Sequence, residues 1–219
     1  MPSRVDPRFI EGSGREVYTG NELLVKGLLE TEGGTHLWTG YPGSPVASFF
    51  DTAQDINALL HDKGIRAAMA NNEALGVAMV NGSQMAGLRA VCVFKSVGLH
   101  VAADGLALGN LAGAHRDGGA VIVIGDDPWS DSTQVPADSR YLCKHLFLPV
   151  MEPSTNQEIK DWMGIAFQLS RASGFYIGYL VTTNQADGGG VVNVRPNHYP
   201  AVNTQQLLTI ETAKIPLEE

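Results

Sequence analysis

Cysteine is scarce in this chain: Cys92 and Cys143 are the two among 219 residues, far apart and in no Cys-x-x-Cys pairing. That excludes an iron–sulfur cluster or a four-cysteine zinc site built by this chain, and it fits a reducing compartment. Runs of lysine or arginine are absent as well, and the net charge of −8 argues against nucleic acid or an anionic membrane surface as partner. Long hydrophobic runs are missing. The longest mildly apolar stretch, Val97 to Gly113, is interrupted by His100, Asp104 and Asn110, so no membrane span is expected. Met1-Pro-Ser-Arg-Val-Asp-Pro7 has no apolar core of a secretory leader. A soluble, cytoplasmic protein is therefore expected. Gly12-Ser-Gly14 lacks a third glycine and precedes any strand, so it is no dinucleotide fingerprint. There is no P-loop and no Gly-x-Ser-x-Gly elbow. The six histidines show no paired metal spacing, and no metal site is expected.

What is there is a core-forming composition, 44% hydrophobic, arranged as alternating strand and helix patterns. Residues 1–18 read as a polar N-terminal arm. Thr19 is placed to cap a first helix that Gly33-Gly34 ends. A strand, His36 to Tyr41, runs into the turn Pro42-Gly-Ser-Pro45, and a second helix is expected from Val46 to Leu60. Ile65 to Ala70 reads as a strand entering a helix that begins near Glu73. Arg89 to Lys95 is a near-continuous apolar run, as strands covered on both faces are. The glycine-containing turn Ser96-Val-Gly-Leu99 leads into a small-residue helix ending near Gly113. Ala120 to Gly125 is a strand, followed by a polar loop of about twenty residues from Asp126 to His145, a length that is more often functional than idle. Leu146 to Val150 reads as a strand, and Ser154-Thr-Asn-Gln157 as a capping box opening a helix to Ala172. The last strand is Phe175 to Val181, and residues 186–219 read as an extended tail or linker. The pattern predicts an α/β domain over 19–185, three layers deep, with a mostly parallel sheet of about six strands and helices on both faces.

In such sheets ligands sit off the carboxyl ends of the strands. That rule selects Tyr41–Pro45, Asn71–Glu73, Lys95–Leu99 and Asp126–Arg140. Glu73 is a carboxylate on the first turn of an otherwise apolar helix. It either complements the helix dipole, worth about 0.3–1 kcal/mol, or serves as a general acid/base or hydrogen-bond acceptor for a buried heterocycle. The turn Pro42–Pro45 is either a plain loop or a rigid backbone that approaches a ligand closely. Lys95 either snorkels into solvent or meets a carboxylate or phosphate. Asp126, Asp127 and Asp131 are either a solvated loop or a hard-cation site.

Taken together these joints resemble the pyrimidine-binding domain of 2-oxoacid:ferredoxin oxidoreductases, in the indolepyruvate ferredoxin oxidoreductase large-subunit branch. The residues carrying the resemblance are Gly20-Asn-Glu22, Tyr41-Pro-Gly-Ser-Pro45, Asn72-Glu73, Gly87-x-Arg89, Lys95-x-Val-Gly-Leu99 with Val101-Ala-Ala-Asp104, and Asp126-Asp-Pro128 through Ser132-x-Gln134 to Asp138-Ser-Arg140. The resemblance implies that thiamine diphosphate binds between this domain and a separate diphosphate-binding domain. Glu73 would hydrogen-bond the aminopyrimidine ring nitrogen and favour its imino tautomer. Pro42, Gly43, Ser44, Pro45, Asn72, Ser96, Val97, Gly98 and Leu99 would help bind the cofactor. Ser44, Lys95, His100 or Arg140 would meet the 2-oxo acid. Implied partners are the diphosphate-binding domain or subunit with its Mg2+, an iron–sulfur or ferredoxin-type electron-transfer partner and coenzyme A, within a hetero-oligomer that has a dimerised core.

The chain departs from the family at three places. The family carries His-Val-Gly-Leu-Asn where this chain has Ser96-Val-Gly-Leu-His100, and Asn-Glu where it has Val135-Pro136. A Gly-Asp-Gly…Asn motif for the diphosphate is missing, since Gly125-Asp-Asp127 lacks the third-position glycine. Three readings follow: a subunit of a thiamine-dependent 2-oxoacid oxidoreductase, incomplete alone; a subunit of a non-redox thiamine decarboxylase; or a non-catalytic assembly relative.

Overall fold

Strand and helix alternate along the computed structural model, which describes residues 5–203. The first strand, β1 (Arg15–Thr19), leads directly into α1 (Gly20–Leu29), where Thr19 and Glu22 close a capping box. Glu22 N donates to Thr19 Oγ1 at 3.3 Å and Thr19 N to Glu22 Oε2 at 2.8 Å, satisfying two amides that the helix leaves open. Strand β2 (Leu37–Gly40) is followed by α2 (Ser48–Asp55) and α3 (Asn57–Asp62). The single helix expected over 46–60 is thus two, jointed at Ile56 (φ −99°, ψ 12°), which caps the end of one and the start of the next. The buried spacing Phe49, Ala53, Ile56, Leu60 runs straight through the joint, so apolar periodicity carries no sign of it.

Then come β3 (Arg66–Met69), α4 (Glu73–Met85), β4 (Ala90–Lys95) and α5 (Ser96–Ala112). Ser96–Leu99 is the first turn of α5 rather than a separate turn before it; a single glycine on a first helical turn costs little when neighbouring structure needs the space. After β5 (Ala120–Asp126), the expected twenty-residue loop ends early, in the short helix α6 (Arg140–His145). The next strand, β6, is confined to Val150–Met151. Helix α7 (Asn156–Ser173) has its capping box one residue later than expected, on Thr155 and Glu158, and Gly174 ends it in the left-handed conformation (φ 74°). The chain finishes with β7 (Ile177–Thr182), α8 (Thr183–Asp187) and β8 (Gly189–Asn193).

Six strands form one parallel sheet in the order β3-β2-β4-β5-β7-β6. Alternation along the central strands sends side chains to two separate cores. Val91, Val93, Val121, Val123, Ile177 and Tyr179 pack with α1, α2, α3 and α7. Ala90, Cys92, Phe94, Ala120, Ile122 and Ile124 pack with α4 and α5 on the other face. The three-layer α/β architecture is therefore the one expected.

The stretches read as arm and tail pair with each other: β1 and β8 form a two-stranded antiparallel sheet, Arg15 opposite Asn193. Val192 and Val194 reach the α1–α7 core. Residues 1–4 and 204–219 of that arm and tail lie outside the described residues.

Candidate functional site

Parallel pairing brings the carboxyl ends of β3, β2 and β4 side by side, with Gly40 registered against both Met69 and Val93. Three joints therefore emerge as neighbours: Tyr41–Pro45 after β2, Ala70–Glu73 after β3, and Ser96–Leu99 after β4. Close backbone approach makes this possible. Gly40 lies against β4 so tightly that a Cβ would fall 1.9 Å from Val93 O, and Gly76 brings α4 onto the same place, 3.2 Å from the Gly40 Cα by the same measure.

The turn Pro42–Pro45 is fixed from two sides. Asn21, buried on α1, donates from Nδ2 to Pro45 O (3.0 Å) and to Ala186 O (3.1 Å). Gly125, at the end of β5, leaves room for Pro45 and Val46, whose atoms a Cβ there would meet at 2.9 Å. Gly43 in turn lies over the aliphatic stem of Lys95, and Ser44-Pro45 is a cis peptide. Asn21 belongs to the Gly20-Asn-Glu22 signature, yet its spacing from Pro45 in the sequence gives no hint that it holds the turn.

Glu73 opens α4. Asn72 caps the helix, its Oδ1 accepting from Leu75 N at 2.8 Å, which leaves the Asn72 side chain engaged and exposed. Glu73 itself is 8% exposed, and its carboxylate accepts no hydrogen bond and forms no ion pair among the described residues. Beside it lies the first turn of α5, where a Cβ on Gly98 would fall 2.5 Å from Glu73 Oε1. Behind it is Cys92, whose thiol is pushed well up, by burial first and by the Glu73 charge second. Ser96, at the start of α5, is buried with its Oγ unpartnered. No side chain caps α5 at Lys95. The first turn of α5, which has no side-chain cap and carries the orphaned Ser96 hydroxyl, thus lies beside the Glu73 carboxylate through Gly98.

The remaining candidates are dispersed. Val97 and His100 are exposed on α5, Ser44 and Pro42 are exposed in the turn, and Lys95 is half-buried beneath it. Leu99 is fully buried in the α4–α5 core. Arg140 stands apart, beyond β5, paired with Asp138 (2.8 Å) and Glu152 (3.8 Å). It lines a cavity of about 290 Å³ with Asp126, Thr182 and Gln185.

The loop after β5 is organised from within. Asp127 accepts backbone N–H groups from Asp131 (2.9 Å), Ser132 (2.8 Å) and Thr133 (2.7 Å). Burial would raise its pKa, but these donors outweigh burial and hold the carboxyl well below the usual range. Asp126 is raised by burial, against the opposing pull of Ser139, whose N and Oγ both donate to it. The aspartates thus act as loop scaffolding, and no cluster of metal-binding side chains occurs among the described residues.

Comparison with known proteins adds sequence relatives. No family model matches the chain. It is 35% identical over 186 residues to indolepyruvate oxidoreductase subunit IorA of Archaeoglobus fulgidus, covering 84% of this chain and 29% of that protein. The IorA subunit of Pyrococcus abyssi is 34% identical over 178 residues, covering 81% of this chain and 26% of that one. The chain thus spans less than a third of the length of these relatives. Among solved structures, a 2-oxoglutarate:ferredoxin oxidoreductase from Magnetococcus marinus superposes with a TM-score of 0.68 at 16% identity, over 83% of this chain and 31% of that one. At that identity the likeness establishes the shared fold.

Proposed function

We propose that this chain, 34–35% identical over 81–84% of its own length to part of the IorA subunits of indolepyruvate oxidoreductases, is the pyrimidine-binding part of a thiamine diphosphate-dependent 2-oxoacid:acceptor oxidoreductase. The observation carrying this reading is the Glu73 carboxylate: on a buried residue, at a helix start, and without a hydrogen-bond or ion-pair partner among the described residues. Keeping such a group unpaired is costly unless a donor arrives from elsewhere. An aminopyrimidine protonated on its ring nitrogen would offer that donor, and the orphaned Ser96 hydroxyl on the first turn of α5 is a second polar group able to meet the ligand.

When bound, thiamine diphosphate supplies the carbon nucleophile by which a 2-oxo acid loses carbon dioxide. The protein's part is binding, orientation and proton placement. Glu73 would hydrogen-bond the pyrimidine ring nitrogen and share a proton with it. The cis turn Gly43–Pro45 and the first turn of α5, Ser96–Gly98, would hold the cofactor's ring, while Leu99 anchors that turn in the core. Lys95 at the end of β4, Ser44 in the turn after β2 and His100 in the second turn of α5 would be the groups available to a substrate carboxylate. Arg140, held by Asp138 and Glu152 on the far side of β5, is not placed with them. The diphosphate, its Mg2+, the iron–sulfur clusters and coenzyme A belong to other domains or chains of a hetero-oligomer. No helix among the described residues is long and apolar enough to cross a membrane. Both cysteines are free and buried, which supports a cytoplasmic location.

Purification with native partners tests the proposal: thiamine and iron should be present in the assembly. Glu73→Gln should abolish exchange of the cofactor's C2 proton and lower turnover on the order of 100-fold or more, the scale of a lost acid/base group. Unaltered turnover in Glu73→Gln, or thiamine without iron, would refute the redox assignment or the role of Glu73 respectively in the second and first case.

A further inference from the structure

Gly98 occupies the third position of α5, a 17-residue helix in which alanine would be the better helix former. Its φ is not in the left-handed region, so backbone conformation gives no reason for glycine there. Contact does. The three nearest atoms to a Cβ at 98 all belong to the Glu73 side chain: Cγ at 2.5 Å, Oε1 at 2.5 Å and Cδ at 2.8 Å. The other glycines between these helices and the sheet meet different neighbours. A Cβ at Gly105, two turns further along α5, would touch Val77 Cγ1 at 3.1 Å, and one at Gly76 would touch Cys92 Sγ at 2.9 Å. Those positions set the spacing of packed elements, whereas the nearest neighbour of position 98 is the carboxyl-bearing side chain.

From this contact we propose that Gly98 is a positioning residue, whose bare α-carbon forms the slot that fixes where the Glu73 carboxylate stands. The inference deepens the functional reading above and rests on it for its catalytic consequence. Its structural half stands without it. A methyl group at 98 overlaps Glu73 from Cγ outward, and the cheapest relief is rotation of a flexible side chain. The fold survives that rotation, while the carboxylate leaves its place. A displacement of about 1 Å in a reacting group is enough to cost on the order of 100-fold in rate.

A double-mutant cycle on the chain alone reads the contact. Gly98→Ala should lower the melting temperature when Glu73 is present. In the Glu73→Ala background it should raise the melting temperature or leave it unchanged, because the clash is gone and alanine's helix preference remains. Equal effects in both backgrounds would overturn the proposal. In the assembled enzyme, Gly98→Ala should lower kcat on the order of 100-fold with KM little changed. Gly105→Ala, which presses on Val77 instead, should not reproduce that split. Wild-type kcat in Gly98→Ala, or the same kcat loss in Gly105→Ala, would also overturn it. An assembly lacking thiamine would refute the functional reading instead, and the cycle on the isolated chain would still decide whether Gly98 places Glu73.

Discussion

His36, just before β2, is buried and accepts the Arg89 amide N–H through Nδ1 at 3.1 Å. Burial first, and the nearby Arg89 guanidinium second, lower its pKa to about 4. The unfolded chain takes up a proton there as pH falls below roughly 6.5, while the native chain resists until about 4. Stability from this group is complete above the upper value and is lost as pH falls through that window. Urea midpoints at pH 7 and pH 4.5 should show a clear drop for the wild type and a smaller one for His36→Gln. Glu73 was legible at this same scale because a charge at the head of an apolar helix is conspicuous in a sequence. The slot made by Gly98 was not, since a glycine's reason lies in a neighbour across the fold. Asn21 was hidden likewise, because its bonds to Pro45 and Ala186 span 24 and 165 positions of chain.

Between elements, the least expected feature is a charged seam joining α1 to α7. Lys26 and Lys160 are both essentially unexposed. Glu30 lies between them, 3.5 Å from Lys26 Nζ and in ion-pair contact with Lys160, and Asp161 adds a second carboxylate to Lys160 at 2.6 Å. Arg195 joins from the segment after β8, through Asp161 at 2.8 Å. Removing one member of a buried pair leaves an uncompensated charge, so Glu30→Ala should destabilise the chain by about 3–5 kcal/mol in chemical denaturation. Loss below about 1 kcal/mol would mean that water reaches the lysines and the seam is effectively a surface network. Periodicity located the six strands of the main sheet and the longer helices, because each buries one face of a helix or alternate residues of a strand. It was blind to the joint at Ile56, which leaves the apolar spacing intact, and to the start of α5, where Gly98 looked like a turn. It also missed α6, whose polar exterior resembles the loop before it.

For the molecule as a whole, the two sheet faces are finished differently. The α1–α7 side is overlaid by residues 195–198, where His198 N donates to Leu29 O (2.7 Å) and Asn197 accepts Lys26 Nζ (2.8 Å). The α4–α5 side keeps large apolar groups exposed, with Met85 at 90% and Leu111 at 86%. Large apolar side chains left this exposed promote association. The double variant Met85→Gln, Leu111→Gln should stay monomeric at higher concentration in light scattering, with stability changed by less than about 0.5 kcal/mol. The overall architecture was readable from alternation alone, whereas the pairing of β1 with β8 was not. Those strands are separated by nearly the whole chain, and a two-stranded ribbon leaves little periodic trace.

That ribbon has a consequence for how the fold can be carried. Its antiparallel register sets Arg15 across from Asn193, a separation of about 5 Å between Cα atoms. To any polypeptide joined at both ends, the whole α/β body is therefore a bulge on a short loop, closing at the entropic cost of a hairpin rather than of some 180 residues. A carrier protein holding such a body by a surface turn would have to keep Phe9, Val194 and residues 195–198 with it, since these pack on the body from outside the ribbon.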